Sequence, residues 1–153
     1  MSVPALSART KTLPHVRLVR DRSNIPSPGP RVANPGDIVK VLQDILGHEE
    51  QEVFIVLMLD TRSRIVGYSE VTRGLLNASL VHPRETFRAA IAANACGIIV
   101  AHNHPSGDAT PSPEDRAVTR QLVTAGQLLD LPVYDHIIIA GESWISFATA
   151  GMM

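Results

Sequence analysis

Apolar residues recur at helical spacing between Asp37 and Leu46, at Ile38, Val39, Val41, Leu42, Ile45 and Leu46, and Gly47 supplies a stop. The unbroken apolar run from Val53 to Asp60 predicts a buried strand. Thr61-Arg62-Ser63-Arg64 predicts a tight turn, and Ile65 to Val71 a returning strand. Gly74 to Val81 reads as a loop with short extended pieces. Pro83, well suited to a first helical turn, opens a helix to about Asn94. A second apolar run, Cys96-Gly97-Ile98-Ile99-Val100-Ala101, predicts another buried strand ending at His102. Ser112-Pro113-Glu114-Asp115 starts a further helix, expected to stop at Gly126. Val133 to Ala140 and Ser143 to Ala148 predict a closing hairpin across Gly141-Glu142. Helix, hairpin, helix, strand, helix, hairpin is an α/β layered pattern without internal repeat.

Residues 1–34 break that pattern. They carry Arg9, Lys11, Arg17, Arg20, Arg22 and Arg31 against the single acid Asp21, and Pro26, Pro28 and Pro30 interrupt any period. A basic, Pro-rich arm is expected there, either draped on the surface or touching nucleic acid or an acidic partner, with a possible short edge strand at Val16-Arg17-Leu18-Val19. The domain proper is expected over residues 35–153.

Composition narrows the class without naming a chemistry. The 153 residues are 44% hydrophobic and 19% charged, which suits one domain with a real core. A formal net charge of -1 gives no global pull toward nucleic acid or membrane. The single cysteine, Cys96, rules out an internal disulfide and is expected to be a buried core thiol. No apolar stretch reaches membrane-spanning length and no secretory leader opens the chain, so a cytoplasmic setting is expected.

The chemistry concentrates after the second buried strand. Strand side chains alternate faces, so His102 and His104 point the same way, as two imidazoles must to share one metal ion. Pro105 halts the strand, Gly107 and Asp108 turn the loop, and Pro111 and Pro113 stiffen it. That path brings Asp115 back as a third ligand candidate. Three protein ligands with one open position is the pattern of a catalytic zinc site. Helix physics offers a competing account, since Ser112-x-x-Asp115 is also a capping box with Pro113 at the first helical position. Hydrolysis would need a carboxylate near the metal. Glu52, just before a core strand, is modestly favoured over Glu85 in a first helical turn and over Glu70 on a solvent-facing strand. His82 could cap its helix or stand behind the site, while His136 reads as a structural histidine and Trp144 as a partly buried packing residue.

His102-x-His104-Pro105-x6-Ser112-x-x-Asp115 resembles the JAMM metal-binding motif of the JAB/MPN metalloprotease domain. Ala101-His102-Asn103-His104-Pro105-Ser106-Gly107-Asp108, the segment Leu76-Asn77 to Val81-His82-Pro83-Arg84-Glu85, and Asp135-His136-Ile137-Ile138-Ile139 resemble its RadC branch in particular. The resemblance implies a cytidine-deaminase-like three-layer α/β fold, a mixed sheet flanked by helices. It implies one zinc ion per chain held by His102, His104 and Asp115, with Glu52 as the catalytic carboxylate and Ser112 steadying the oxyanion. The activity implied is hydrolysis of an amide or isopeptide bond in a protein or peptide. Asn103 stands where many proteolytic members have serine, and fits the RadC branch. Longer RadC proteins carry a helix-hairpin-helix region ahead of this domain, and 34 residues are too few for one. A DNA-binding or nuclease module therefore stays as an alternative with weak support, as does a zinc-binding domain without turnover. Asp108, Glu114 and Asp115 in the motif loop favour a protein substrate mildly. Oligomeric state is not legible.

Overall fold

The computed structural model describes residues 17, 21, 29–74 and 81–153. Most of the expected N-terminal arm, its possible strand and most of the loop after Gly74 lie outside the described residues. The elements run α1 (Gly36–Leu46), β1 (Val53–Leu59), β2 (Ile65–Arg73), α2 (Pro83–Ala92), β3 (Gly97–Asn103), α3 (Pro113–Leu128), β4 (Val133–Ala140) and β5 (Ser143–Ser146). The five strands form one mixed sheet in the order β2-β1-β3-β4-β5. β3 and β4 are parallel and the other neighbouring pairs antiparallel. A parallel pair needs a long crossover, and α3 provides it.

The sheet is the middle of three layers. On one face Ile38, Leu42 and Leu46 of α1 pack over Ile55, Leu57, Ile99, Ala101, Ile137 and Ile139. On the other, Phe87 and Ala90 of α2 and Val118 and Leu122 of α3 cover Phe54, Val56, Ile98 and Val100. β1 and β3 are buried at every position because helices cover both their faces, which is why β1 reads as an unbroken apolar run and β3 as one up to Ala101. β2 is an edge strand and alternates. Among the described residues, no helix is long and apolar enough to cross a membrane.

Three expectations need correction. Gly126 does not stop α3, which continues to Leu128. Gly126 is there for close approach: a Cβ would sit 2.5 Å from the Leu131 carbonyl oxygen, and the Leu131 N–H donates to the Gly126 carbonyl at 2.9 Å. Cys96 is exposed, not a core thiol. It lies one residue before β3, and its N–H ties to the Leu59 carbonyl at 2.8 Å while its side chain stays outside the sheet. The last strand ends at Ser146, and Ser143–Ser146 is followed by turns. Ordered pairing also begins ahead of Pro35: Arg31 bridges Arg64, and Val32 N–H donates to the Ser63 carbonyl at 2.8 Å.

Candidate metal centre

The site forms where β3 ends and α3 begins, the end of a parallel βαβ unit at which α/β folds commonly bind ligands. His102 and His104 project from the α2/α3 face of β3, and the first turn of α3 brings Asp115 against them. His102 Nε2 lies 3.0 Å from His104 Nε2. Asp115 Oδ1 is 3.2 Å from His102 Nε2, and Oδ2 is 3.3 Å from His104 Nε2. A tetrahedral ion with arms of about 2.0–2.1 Å needs ligand atoms about 3.3–3.4 Å apart. Among the described residues these three form the group of His, Cys, Asp and Glu able to hold a metal ion.

The donor set fits a cation chemically as well. His104 Nδ1 lies 2.7 Å from the Asp108 carbonyl oxygen, which can only accept, so Nδ1 carries the hydrogen and Nε2 offers its lone pair. Two imidazole nitrogens facing a carboxylate at these distances need a cation or a proton between them. In the metal-free protein, burial pushes the Asp115 carboxyl up, but the facing His102 and His104 rings outweigh it and hold the group well below the ordinary carboxylate range.

The capping box expected at Ser112 is present and does not compete with the site. Ser112 Oγ accepts the Asp115 N–H at 3.0 Å, and Asp115 Oδ2 accepts the Ser112 N–H at 2.8 Å. The cap fixes the carboxylate and leaves the serine hydroxyl hydrogen uncommitted to it. Phe54 stacks on His102 with ring centroids 5.9 Å apart, walling the site on its β1 side.

Glu52 is half-buried just before β1, and its charge adds to the rise in the His104 pKa, which places it in the electrostatic reach of the site. Asn103, between the two histidines, points to the opposite face and holds this segment. Its Oδ1 accepts the Val53 N–H at 2.7 Å, and its Nδ2 donates to the Gln51 carbonyl at 2.9 Å and to that of Glu49 at 3.3 Å. A serine side chain could not span all three. Replacing Asn103 with alanine leaves the Val53 N–H buried without that acceptor, an expected loss of about 1–3 kcal/mol measurable by urea unfolding.

The other acids and histidines sort clearly. Glu70 is exposed and, with Glu49, clamps Arg73 at 2.9 and 2.7 Å. Glu85 pairs with Arg84 and Arg88 on the outside of α2. His82 caps α2, its Nδ1 accepting the Arg84 N–H at 3.1 Å. Trp144 is 40% exposed. His136 is the residue that sequence reading undervalued. It is fully buried, with Nε2 2.8 Å from His102 Nδ1 and Nδ1 2.6 Å from Thr119 Oγ1. Its sequence signal was slight, a single imidazole in an apolar run. Its place beside His102 depends on the β3–β4 register, where His136 sits opposite Val100 and Ile138 opposite His102.

In the metal-free protein, two of these histidines tilt stability in opposite directions. Hydrogen bonding to Asp115 leads in raising His104 above its ordinary 6.5, against the opposing effect of burial, so its contribution is present below pH 6.5 and is lost as pH rises through the raised value. Burial, reinforced by repulsion from His102, holds His136 well below 6.5. The unfolded chain then takes up a proton that the fold excludes, and stability falls as pH drops below 6.5. Thermal melts of metal-free protein from about pH 5 to about pH 8 should show a maximum near 6.5. A steady rise across that range would contradict the His104 assignment.

A family model for the RadC-like JAB domain matches residues 32–152. The chain belongs to the RadC-like JAB domain family. A UPF0758 protein of Desulfitobacterium hafniense is 42% identical over 134 residues, 88% of this chain. A UPF0758 protein of Thermotoga maritima is 41% identical over 135 residues. The chain spans 59% of the length of each of these relatives. The three-layer mixed α/β sheet is the one that resemblance to this family implied, and the His-x-His and Ser-x-x-Asp segments of the RadC-like JAB domain meet at its candidate metal centre.

Proposed function

We propose that this RadC-like JAB domain is a zinc-dependent hydrolase of amide or isopeptide bonds, acting on a protein or peptide in the cytoplasm. The observation that carries the reading is the spacing of His102 Nε2, His104 Nε2 and the Asp115 carboxylate at 3.0–3.3 Å, with a half-buried carboxylate, Glu52, acting on the same group. His102, His104 and Asp115 would hold a zinc ion, which would supply Lewis acidity and make a water more acidic.

The remaining work falls to the chain. Glu52 takes the proton from the attacking water and returns it to the departing amine nitrogen, so one carboxylate serves as base and then as acid. Ser112 gives its hydroxyl hydrogen to the carbonyl oxygen as negative charge builds there, since its own oxygen already accepts from Asp115 N–H. The walls of Phe54 and the buried strands keep the local dielectric low, which strengthens both interactions.

A cleft of about 440 Å³, lined by Leu46, Glu49, Glu50, Asn103 and Ile139, lies on the α1 side of the sheet and reaches the site only at His104. The test is an activity panel of isopeptide-linked proteins, peptides, and single- and double-stranded DNA, each with and without added zinc and chelator. Zinc-dependent cleavage of an amide or isopeptide substrate is expected. Cleavage of DNA alone would overturn the reading in favour of a nuclease, and zinc binding with no turnover on any substrate would reduce the domain to a binding module.

A further inference from the structure

We infer that His136 and Thr119 are positioning residues that lock His102 into the one tautomer able to bind a metal, and so set the affinity of the site. The inference rests on the proposed metal site but not on its hydrolytic activity.

The hydrogen bonds leave each hydrogen one satisfactory place. Thr119 Oγ1 lies 2.7 Å from the Asp115 carbonyl oxygen and 2.6 Å from His136 Nδ1. A carbonyl can only accept, so the threonine hydroxyl donates to it. The hydroxyl oxygen then accepts from His136 Nδ1–H. His136, fully buried with Thr119 and His102 as its hydrogen-bond partners, is a neutral imidazole with one donor and one acceptor, so its Nε2 accepts. At 2.8 Å, that nitrogen takes the hydrogen of His102 Nδ1. His102 Nε2 is left with its lone pair facing His104 and Asp115.

The opposite arrangement is penalised. A hydrogen on His102 Nε2 would reverse every donor in the series, turning the threonine hydroxyl toward His136. Its oxygen would then face the Asp115 carbonyl oxygen, lone pair against lone pair, at 2.7 Å. The carbonyl that selects the tautomer belongs to Asp115, so the ligand on α3 also fixes the proton on the ligand from β3. Phe147 stacks on His136 at 4.5 Å and Phe54 meets it edge-on at 5.6 Å, so no water competes from those sides. Metal-bound histidines commonly donate their second ring N–H to a carboxylate or carbonyl. Here an imidazole takes that place, and it needs Thr119 to define which of its nitrogens accepts.

Two measurements test this. Zinc affinity is read by competition with a chromophoric chelator. Thr119→Val, similar in shape but without the hydroxyl, should bind zinc roughly 10–100-fold more weakly, as should His136→Ala. Thr119→Ser should recover most of the wild-type affinity. The second measurement needs no variant: nitrogen-15 NMR of the metal-free wild type should show His102 protonated on Nδ1 and His136 on Nδ1. Unchanged zinc affinity in Thr119→Val with its fold intact would overturn the inference. So would an Nε2–H tautomer at His102. Should the wild-type protein bind no zinc, the proposed function fails while the tautomer measurement still reports on the relay.

Discussion

Replacing His102 with alanine is expected to abolish zinc binding. Wild-type protein prepared in metal-free buffer and reloaded should carry about one zinc per chain by elemental analysis, and the variant none. The loss should exceed the roughly 10–100-fold that outer hydrogen-bond partners contribute, because a direct ligand of a three-ligand site is removed. His102 is also fully buried, stacked on Phe54 and bonded to His136, so alanine opens a cavity as well. Asp115→Asn separates the two effects. It keeps the size of the side chain and an oxygen for the Ser112 N–H while removing the charge that faces both imidazoles. Zinc retained at full occupancy in both folded variants would refute the ligand assignment.

The second large effect is expected at Glu52. Glu52→Gln should bind zinc as the wild type does and lose about 10²- to 10⁴-fold in kcat/KM, the range a positioned acid–base group contributes. Glutamine keeps the length and polarity of the side chain but cannot take a proton from water. The decisive comparison is metal content against turnover in the same preparation. Full activity in Glu52→Gln would assign the base to another group. A parallel loss of zinc would mean that the Glu52 carboxylate, which already acts on His104, holds the metal rather than the proton.

Much of the fold was legible because burial leaves a simple trace in sequence. β1 and β3 sit between helices, so β1 is apolar throughout and β3 from Gly97 to Ala101, and β4 shows the same signature over its last four residues. The capping chemistry of Ser112 and Asp115 was equally readable, since it spans three residues of one helix start. Gly126 and Cys96 misled for a shared reason. A glycine ends a helix in local rules, yet here it admits the returning Leu131 backbone. A cysteine in an apolar run belongs in the core by composition, yet it precedes the first strand residue.

The sequence by itself determined the order of elements and the two short segments that carry candidate ligands. Local periodicity and steric limits fix such features within a few residues. It could not show whether Asp115 serves only the cap or also faces the imidazoles, because that depends on where the α3 crossover sets the helix against β3. The tertiary structure decided this, putting the carboxylate 3.2 and 3.3 Å from the two rings. It also decided the roles of Asn103 and His136. Asn103 reaches partners about 50 residues earlier in the chain, and His136 meets His102 across 34 residues, through a strand register that no local pattern encodes. Hydrogen bonds at such separations are a property of packed surfaces, so the supporting half of the site became visible only once the chain was folded.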